Sequence, residues 1–113
     1  MIKISVNGQT FTATLDDSAT ARAFVEKFPL TADMKELNGN EKYFYLNADL
    51  PSNAARVGKI SAGDLMLFGD NCLVIFYKSF STGYSYTRLG RIENPADLEK
   101  VLGTGNVRVT FEK

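Results

Sequence analysis

Apolar and polar residues alternate along much of this chain with a period of two, which predicts a mainly β protein. Ile2, Ile4 and Val6 alternate with Lys3 and Ser5, and Phe11, Ala13 and Leu15 resume the pattern beyond Asn7-Gly8. That dipeptide tolerates the positive φ of a two-residue hairpin, so residues 1–15 form an opening hairpin. Asp16 or Asp17 is placed to cap a helix running to about Phe28, with Ala19, Ala23, Phe24 and Phe28 as its buried stripe and Pro29 as its stop. Alternation returns at Leu30, Ala32 and Met34, turns at Asn38-Gly39-Asn40 and continues through Tyr43-Phe44-Tyr45, three residues that favour strands.

Residues 47–63, with Pro51, Ser52, Asn53, Gly58 and Gly63, read as a long connection holding a short strand near Lys59-Ile60-Ser61. Beyond it the pattern changes. Leu65 to Phe68 and Cys72 to Tyr77 are nearly continuous apolar runs joined by Gly69-Asp70-Asn71. Such runs predict a hairpin covered on both faces or closed into a barrel. A polar loop at 79–83 leads into an alternating strand from Tyr84 to Ile92. Asn94 then precedes Pro95 at the first position of a short helix ending at Leu102, Gly103 and Gly105 terminate it, and Val107, Val109 and Phe111 form a closing strand. Seven or eight strands with two short helices fit a β-barrel whose ends are covered by the helices.

Bulk composition narrows the function more than it defines it. At 113 residues the chain suits one domain spanning 1–113, and 44% hydrophobic with 23% charged residues is an ordinary globular balance. Thirteen basic and thirteen acidic side chains cancel, and no basic face is visible, so neither nucleic acid nor a membrane surface is expected as a partner. With no histidine and a single cysteine, histidine-based triads, zinc sites and intramolecular disulfides are all excluded, and no metal or cofactor is expected. Cys72 lies inside the run CLVIFY, where a small buried core residue is the favoured reading over a nucleophile. The N-terminus MIKISVNG reads as strand and turn, and no run reaches the ~18 apolar residues of a membrane span. A cytoplasmic protein is expected.

Candidate chemistry concentrates in the strand after the polar loop. No acid lies between Asp70 and Glu93, whereas Lys78, Arg88 and Arg91 do. On residues 84–89 the period of two puts Tyr84, Tyr86 and Arg88 on one face and Ser85, Thr87 and Leu89 on the other. With Leu89 inward, the tyrosines and Arg88 project outward. A guanidinium between phenol rings suits a carboxylate or amide oxygen. The bland alternative is an exposed tyrosine–arginine stack on a sheet. Ser79, Ser81 and Thr82 can add hydroxyl donors, although any hairpin tip has that composition. Arg91 follows Gly90, a residue that marks bulges, and could equally be a solvated charge beside Glu93. The predicted ligand-binding set is Arg88, Tyr86, Tyr84, Phe80, Arg91 and Thr82, with no catalytic residue. Tyr43 and Tyr45 share a face and are assigned to packing, and the Asn38–Glu41 turn, with one carboxylate, is no metal site.

Several blocks of the chain carry a family resemblance. The Asn7-Gly8 hairpin, the helix ending in F-P-L, L-N-G-N-E-K-Y at 37–43, G-D-L-M-L-F-G at 63–69 and Y-S-Y-T-R-L-G-R-I at 84–92 resemble the small bacterial cyclophilin-like proteins. The resemblance covers nearly the whole chain and implies a closed cyclophilin-like β-barrel of about eight strands with two short helices. Members are largely without an assigned function, so a fold is transferred rather than an activity. True cyclophilins are peptidyl-prolyl isomerases, and this chain departs from them. It has no tryptophan or histidine and lacks the F-H-R-x-I-P and Q-G-G segments, so their catalytic arginine does not carry over to Arg88.

Three functions are compatible with these observations. The leading one is a binding module for a peptide segment or a small anionic ligand in a groove lined by tyrosine and arginine. An atypical peptidyl-prolyl isomerase is the alternative, with Arg88 as donor to the twisted amide and Phe80, Phe68 or Tyr86 forming the proline cup. The third is a self-associating or accessory domain acting through edge strands. Oligomeric state is left open.

Overall fold

A computed structural model describes residues 1–113. In chain order its strands are β1 (Ile2–Val6), β2 (Gln9–Leu15), β3 (Leu30–Leu37), β4 (Glu41–Tyr45), β5 (Ala55–Arg56), β6 (Lys59–Ile60), β7 (Asp64–Phe68), β8 (Cys72–Phe76), β9 (Phe80–Ser81), β10 (Ser85–Ile92) and β11 (Val107–Glu112). The helices are α1 (Ala19–Val25) and α2 (Leu98–Leu102), the second preceded by a 3-10 turn at Pro95–Asp97. The longer strands pair antiparallel in the order β2-β1-β11-β3-β4-β8-β7-β10, and β10 returns to β2 to close an eight-stranded barrel. Closure satisfies the backbone groups that an open sheet would leave at its edges. Only β5, added to β10, and the ribbon β6–β9 lie outside this ring.

One glycine makes the seam feasible. Gly90 faces Leu15 across β2–β10, and the register on the β7 side shifts between Arg88 and Gly90. A Cβ at Gly90 would overlap the Thr14 carbonyl oxygen and lie 2.7 Å from the Leu15 Cα. The absent side chain therefore lets β2 come close enough to pair, and the bulge resets the alternation so that Leu89 and Ile92 both reach the core.

Alternating residues fill the barrel as their pattern predicts. Ile2, Ile4, Val6, Ala32, Met34, Val109 and Phe111 belong to one buried cluster with Leu65, Leu67, Leu73 and Ile75. The helices close the two ends. Phe24 of α1 meets Phe28 and Phe111 edge-on at 4.9 and 5.5 Å between ring centroids, and Leu98 and Leu102 of α2 join the core from the other end. The N-terminus of α1 corrects the sequence expectation. Ser18, not Asp16 or Asp17, is the cap, its hydroxyl accepting from the Ala21 N–H at 3.1 Å, and the buried side chains are Thr20, Ala21 and Phe24. The aspartates are held elsewhere: the Asp16 N–H donates to the Leu89 carbonyl, and Asp17 pairs with Arg22.

β7 and β8 are buried on both faces, as their continuous apolarity predicts. Leu65, Leu67, Leu73 and Ile75 point inward, while Met66, Cys72, Val74 and Phe76 form a second, outer cluster with Ile60 and Tyr86. The cover over this outer cluster comes from the two excursions carrying β6 and β9, which contribute Val57, Ile60 and Phe80.

β4 contains the least expected interior residue. Lys42 is fully buried and points into the α2 end of the barrel. Its ammonium donates to Glu36 Oε1 at 2.9 Å and to the Gly103 and Gly105 carbonyls at 2.8 and 2.6 Å, which uses all three of its donors. Glu36 also accepts from the Tyr77 hydroxyl at 2.7 Å and the Gly39 N–H at 2.8 Å. Burial alone would raise the Glu36 carboxyl, but these hydrogen bonds hold it below the ordinary carboxylate range.

Two substitutions test this account. Lys42→Ala leaves a carboxylate and two carbonyls without their buried donor, so stability is expected to fall by about 3–5 kcal/mol in urea unfolding. Faster hydrogen exchange around Gly103–Gly105 should accompany it. Gly90→Ala should cost about 1–3 kcal/mol through overlap at the seam, with the Leu15–Gly90 region losing exchange protection first.

Candidate functional site

The outer cluster is only partly covered, and the uncovered part is a groove of about 450 Å³. Its walls come from four barrel strands and one excursion: Tyr43 and Tyr45 from β4, Phe68 from β7, Cys72 and Val74 from β8, Tyr86 from β10, and Phe80, Thr82 and Tyr84 from the segment between β8 and β10. Leu37, Asn38, Asn40 and Glu41, around the β3–β4 turn, complete it. Neighbouring rings stand at steep angles. Tyr43 and Tyr45 are 5.7 Å apart at 75°, Phe68 and Tyr84 6.0 Å at 84°, and Phe68 and Tyr86 5.6 Å at 57°. Edge-to-face packing of this kind holds rings in place, and here it sets them around a concave space.

Exposure marks this groove out. The large hydrophobic residues left most exposed are Met1, Leu37, Tyr45, Phe68 and Tyr84, and all except Met1 line it. Three larger depressions, of about 870, 580 and 480 Å³, are lined by far fewer hydrophobic residues.

The predicted ligand-binding residues divide between places. Phe80, Thr82, Tyr84 and Tyr86 come together in the groove. Arg88 projects outward as expected from Leu89 pointing in, but it opens onto the 580 Å³ depression with Arg56 and Lys59, and its Nε lies 3.5 Å from an Asp16 carboxylate oxygen. Tyr86 lines both hollows and forms the ridge between them. Arg91 lies beyond the Gly90 bulge, exposed, between Thr14 of β2 and Asp64 of β7 in register, and joins neither hollow. Glu93, its suggested partner, accepts instead from the Thr14 hydroxyl at 3.0 Å. The groove thus contains rings and hydroxyls but no cation.

It does contain an acid. Glu41 neighbours Lys42 on β4, and the period of two sends Lys42 into the barrel and Glu41 to the outer face. Glu41 is only 8% exposed, and its carboxyl receives no hydrogen bond or ion pair from the protein. Burial, with a smaller contribution from the negative Glu36, raises its pKa to about 7. The adjacent Asn40 Oδ1 is also buried without a partner. The local pattern predicts only a turn at Asn38–Glu41 and packing for the β4 tyrosines. The available signal was that Glu41, Tyr43 and Tyr45 share one face of a strand.

The other ionisable groups are pushed away from reactivity. Burial first, then Glu41, raises the Cys72 thiol to about 11, which keeps it protonated and supports its reading as a core residue. Burial and Glu41 likewise raise the Tyr86 phenol, partly offset by a hydrogen bond with Thr82. No cluster of three or more metal-ligating side chains exists in the molecule.

The Glu41 shift has a definite sign for stability. Below about pH 4.5 the folded and unfolded chains both hold this proton. As the pH rises through 7 the unfolded chain releases it first, so folding is progressively penalised, and the penalty is complete above 7. Its size is about 3–4 kcal/mol, at ~1.4 kcal/mol per pH unit. Glu41→Gln removes this titration. The stability of the variant relative to the parent, from denaturant melts, should therefore rise by that amount between pH 4 and pH 8, other carboxylates cancelling in the difference.

Comparison with known proteins agrees with the architecture. No curated protein matches the chain significantly. The family model described as the cyclophilin-like family matches residues 4–112, from within β1 to the end of β11, which takes in both helices and every residue of the groove. With that match across nearly its full length, the chain belongs to the cyclophilin-like family.

Proposed function

We propose that this protein is a binding module and that its groove receives one side chain of a peptide segment, whose apolar part packs against the rings. The observation that carries this reading is the gathering of exposed large hydrophobic side chains around one concave site, since Leu37, Tyr45, Phe68 and Tyr84 all border it. A soluble protein that leaves such residues together, above an apolar floor of Cys72 and Val74, gains most when a ligand covers them. Rings fixed by edge-to-face contacts lose little freedom on binding, which favours affinity.

Charge selects between the two ligand classes expected from sequence. The anionic ligand was argued from Arg88 and Arg91, and neither lines the groove. A peptide needs no cation there. An extended segment crossing the Tyr86 ridge would place one side chain among the rings and the next residues over Arg56, Lys59 and Arg88. The isomerase alternative retains Phe68, Phe80 and Tyr86 as an apolar cup but has Arg88 on the far side of the ridge from it.

Heteronuclear NMR titration with a set of short peptides varied at one central apolar position is the direct test. Shifts should converge on Phe68, Phe80, Thr82, Tyr84 and Tyr86, and Tyr84→Ala, a change at an exposed ring, should weaken binding about tenfold, or ~1.4 kcal/mol, with folding intact. A peptide set that leaves all these resonances unmoved refutes the module. A proline-isomerisation assay on the same sample should show only the uncatalysed rate, and acceleration would favour the isomerase instead.

A further inference from the structure

Two groove-lining residues adjacent in the chain, Asn40 and Glu41, carry acceptors that receive no hydrogen bond from the protein. Glu41 is more than nine-tenths buried, and its carboxyl has no protein donor; Asn40 Oδ1 is buried and unpaired. Buried acceptors are normally satisfied, because each loses its water without compensation. No lysine or arginine lines the groove to supply the missing donors, and Lys42, the adjacent cation, is committed to Glu36 and two carbonyls on the opposite side of the sheet. The surrounding walls are aromatic, and ring faces attract cations.

Resting on the binding-module reading, we infer that the groove selects an alkylammonium group, such as a lysine side chain of the bound peptide. Its apolar stem lies along the rings, and its N–H donors are directed to the Glu41 carboxylate and Asn40 Oδ1. An anion would meet a carboxylate with no compensating charge. A neutral alkyl chain would fill the rings and leave both acceptors unpaired. An alkylammonium meets both needs, with up to three donors on a flexible stem.

Recognition of this kind depends on the ionisation of Glu41. The titratable groups whose charge is felt at Glu41 or that feel its charge are Glu36 from β3, Cys72 from β8, Tyr77 just beyond β8 and Tyr86 from β10. Glu36 is held low, whereas Cys72, Tyr77 and Tyr86 are raised, so none of them changes charge near neutrality. An alkylammonium also keeps its proton there, since its ordinary pKa is about 10.4. Glu41 is left as the group that titrates, at about 7.

The probe is n-butylammonium, the lysine side chain without its backbone, compared with butan-1-ol as its neutral counterpart. Binding is read from NMR shifts of Tyr43, Phe68 and Tyr86. The butylammonium affinity is expected to rise about tenfold between pH 6 and pH 8, following the ionised fraction of Glu41, and to exceed that of butan-1-ol by about tenfold at pH 8. In Glu41→Gln both differences should disappear, with the NMR dispersion of the folded protein retained. Equal affinities for the two probes, or a pH-independent response in the parent protein, overturn the inference and leave the groove as a neutral apolar site. If neither probe nor any peptide moves the ring resonances, the binding-module reading falls as well.

Discussion

The hairpin of β7 and β8 is apolar on both faces, and most of the molecule's outer organisation follows from that. A barrel strand has one face that its own interior buries. Met66, Cys72, Val74 and Phe76 face the other way and need a second cover. The chain supplies it with the excursions between β4 and β7 and between β8 and β10, whose ribbon β6–β9 lays Ile60 and Phe80 over them. Hydrophobic burial at roughly 25 cal/mol per Å² drives these segments down. The cover stops short at Val74 and Cys72, and the rings of β4 and the 80–86 segment stand around the remaining gap. The candidate site is the part of an outer core that its own chain does not cover.

Two neighbouring residues of β4 show how the barrel treats buried charge. Lys42 enters the interior with three acceptors waiting, and the α2 end is organised around it. Glu41, one residue earlier, is buried on the outer face with no donor, and it responds by holding its proton to about neutral pH. Burying a charge is strongly unfavourable unless it is paired, so the first arrangement is structural and the second keeps a cost in the folded state. Groups with strongly shifted pKa values of this kind cluster at functional sites.

Much of the fold was legible because it rests on local periodicity. Ile2, Ile4 and Val6, or Val107, Val109 and Phe111, alternate strictly and lie in the core as that pattern requires. Asn7-Gly8 and Asn38-Gly39 turn the chain with positive φ at each residue, and Pro95 starts its helical turn. The failures were also local. Asp16 and Asp17 were the expected caps of α1, but the helix starts one residue later, at Ser18, because Asp16 is tied by its backbone to Leu89 across the seam and Asp17 pairs with Arg22. Gly90 by itself predicts a bulge, but its necessity comes from a backbone 75 residues away in the sequence, at Leu15.

The sequence by itself determined the barrel's strands, the two-faced burial of β7 and β8, the exclusion of histidine and disulfide chemistry, and the outward projection of Tyr86 and Arg88. Each depends on residues adjacent in the chain or on composition alone. Only the tertiary structure decided which side chains share the groove. Arg88 is two residues from Tyr86 yet opens on the other side of that ring, while Glu41 and Tyr43 arrive from β4 because β4 lies beside β8 in the closed sheet. Strand order around a barrel is a long-range property, set by which apolar faces can be buried together. The charge of the groove, acidic where the local sequence looked basic, followed from it.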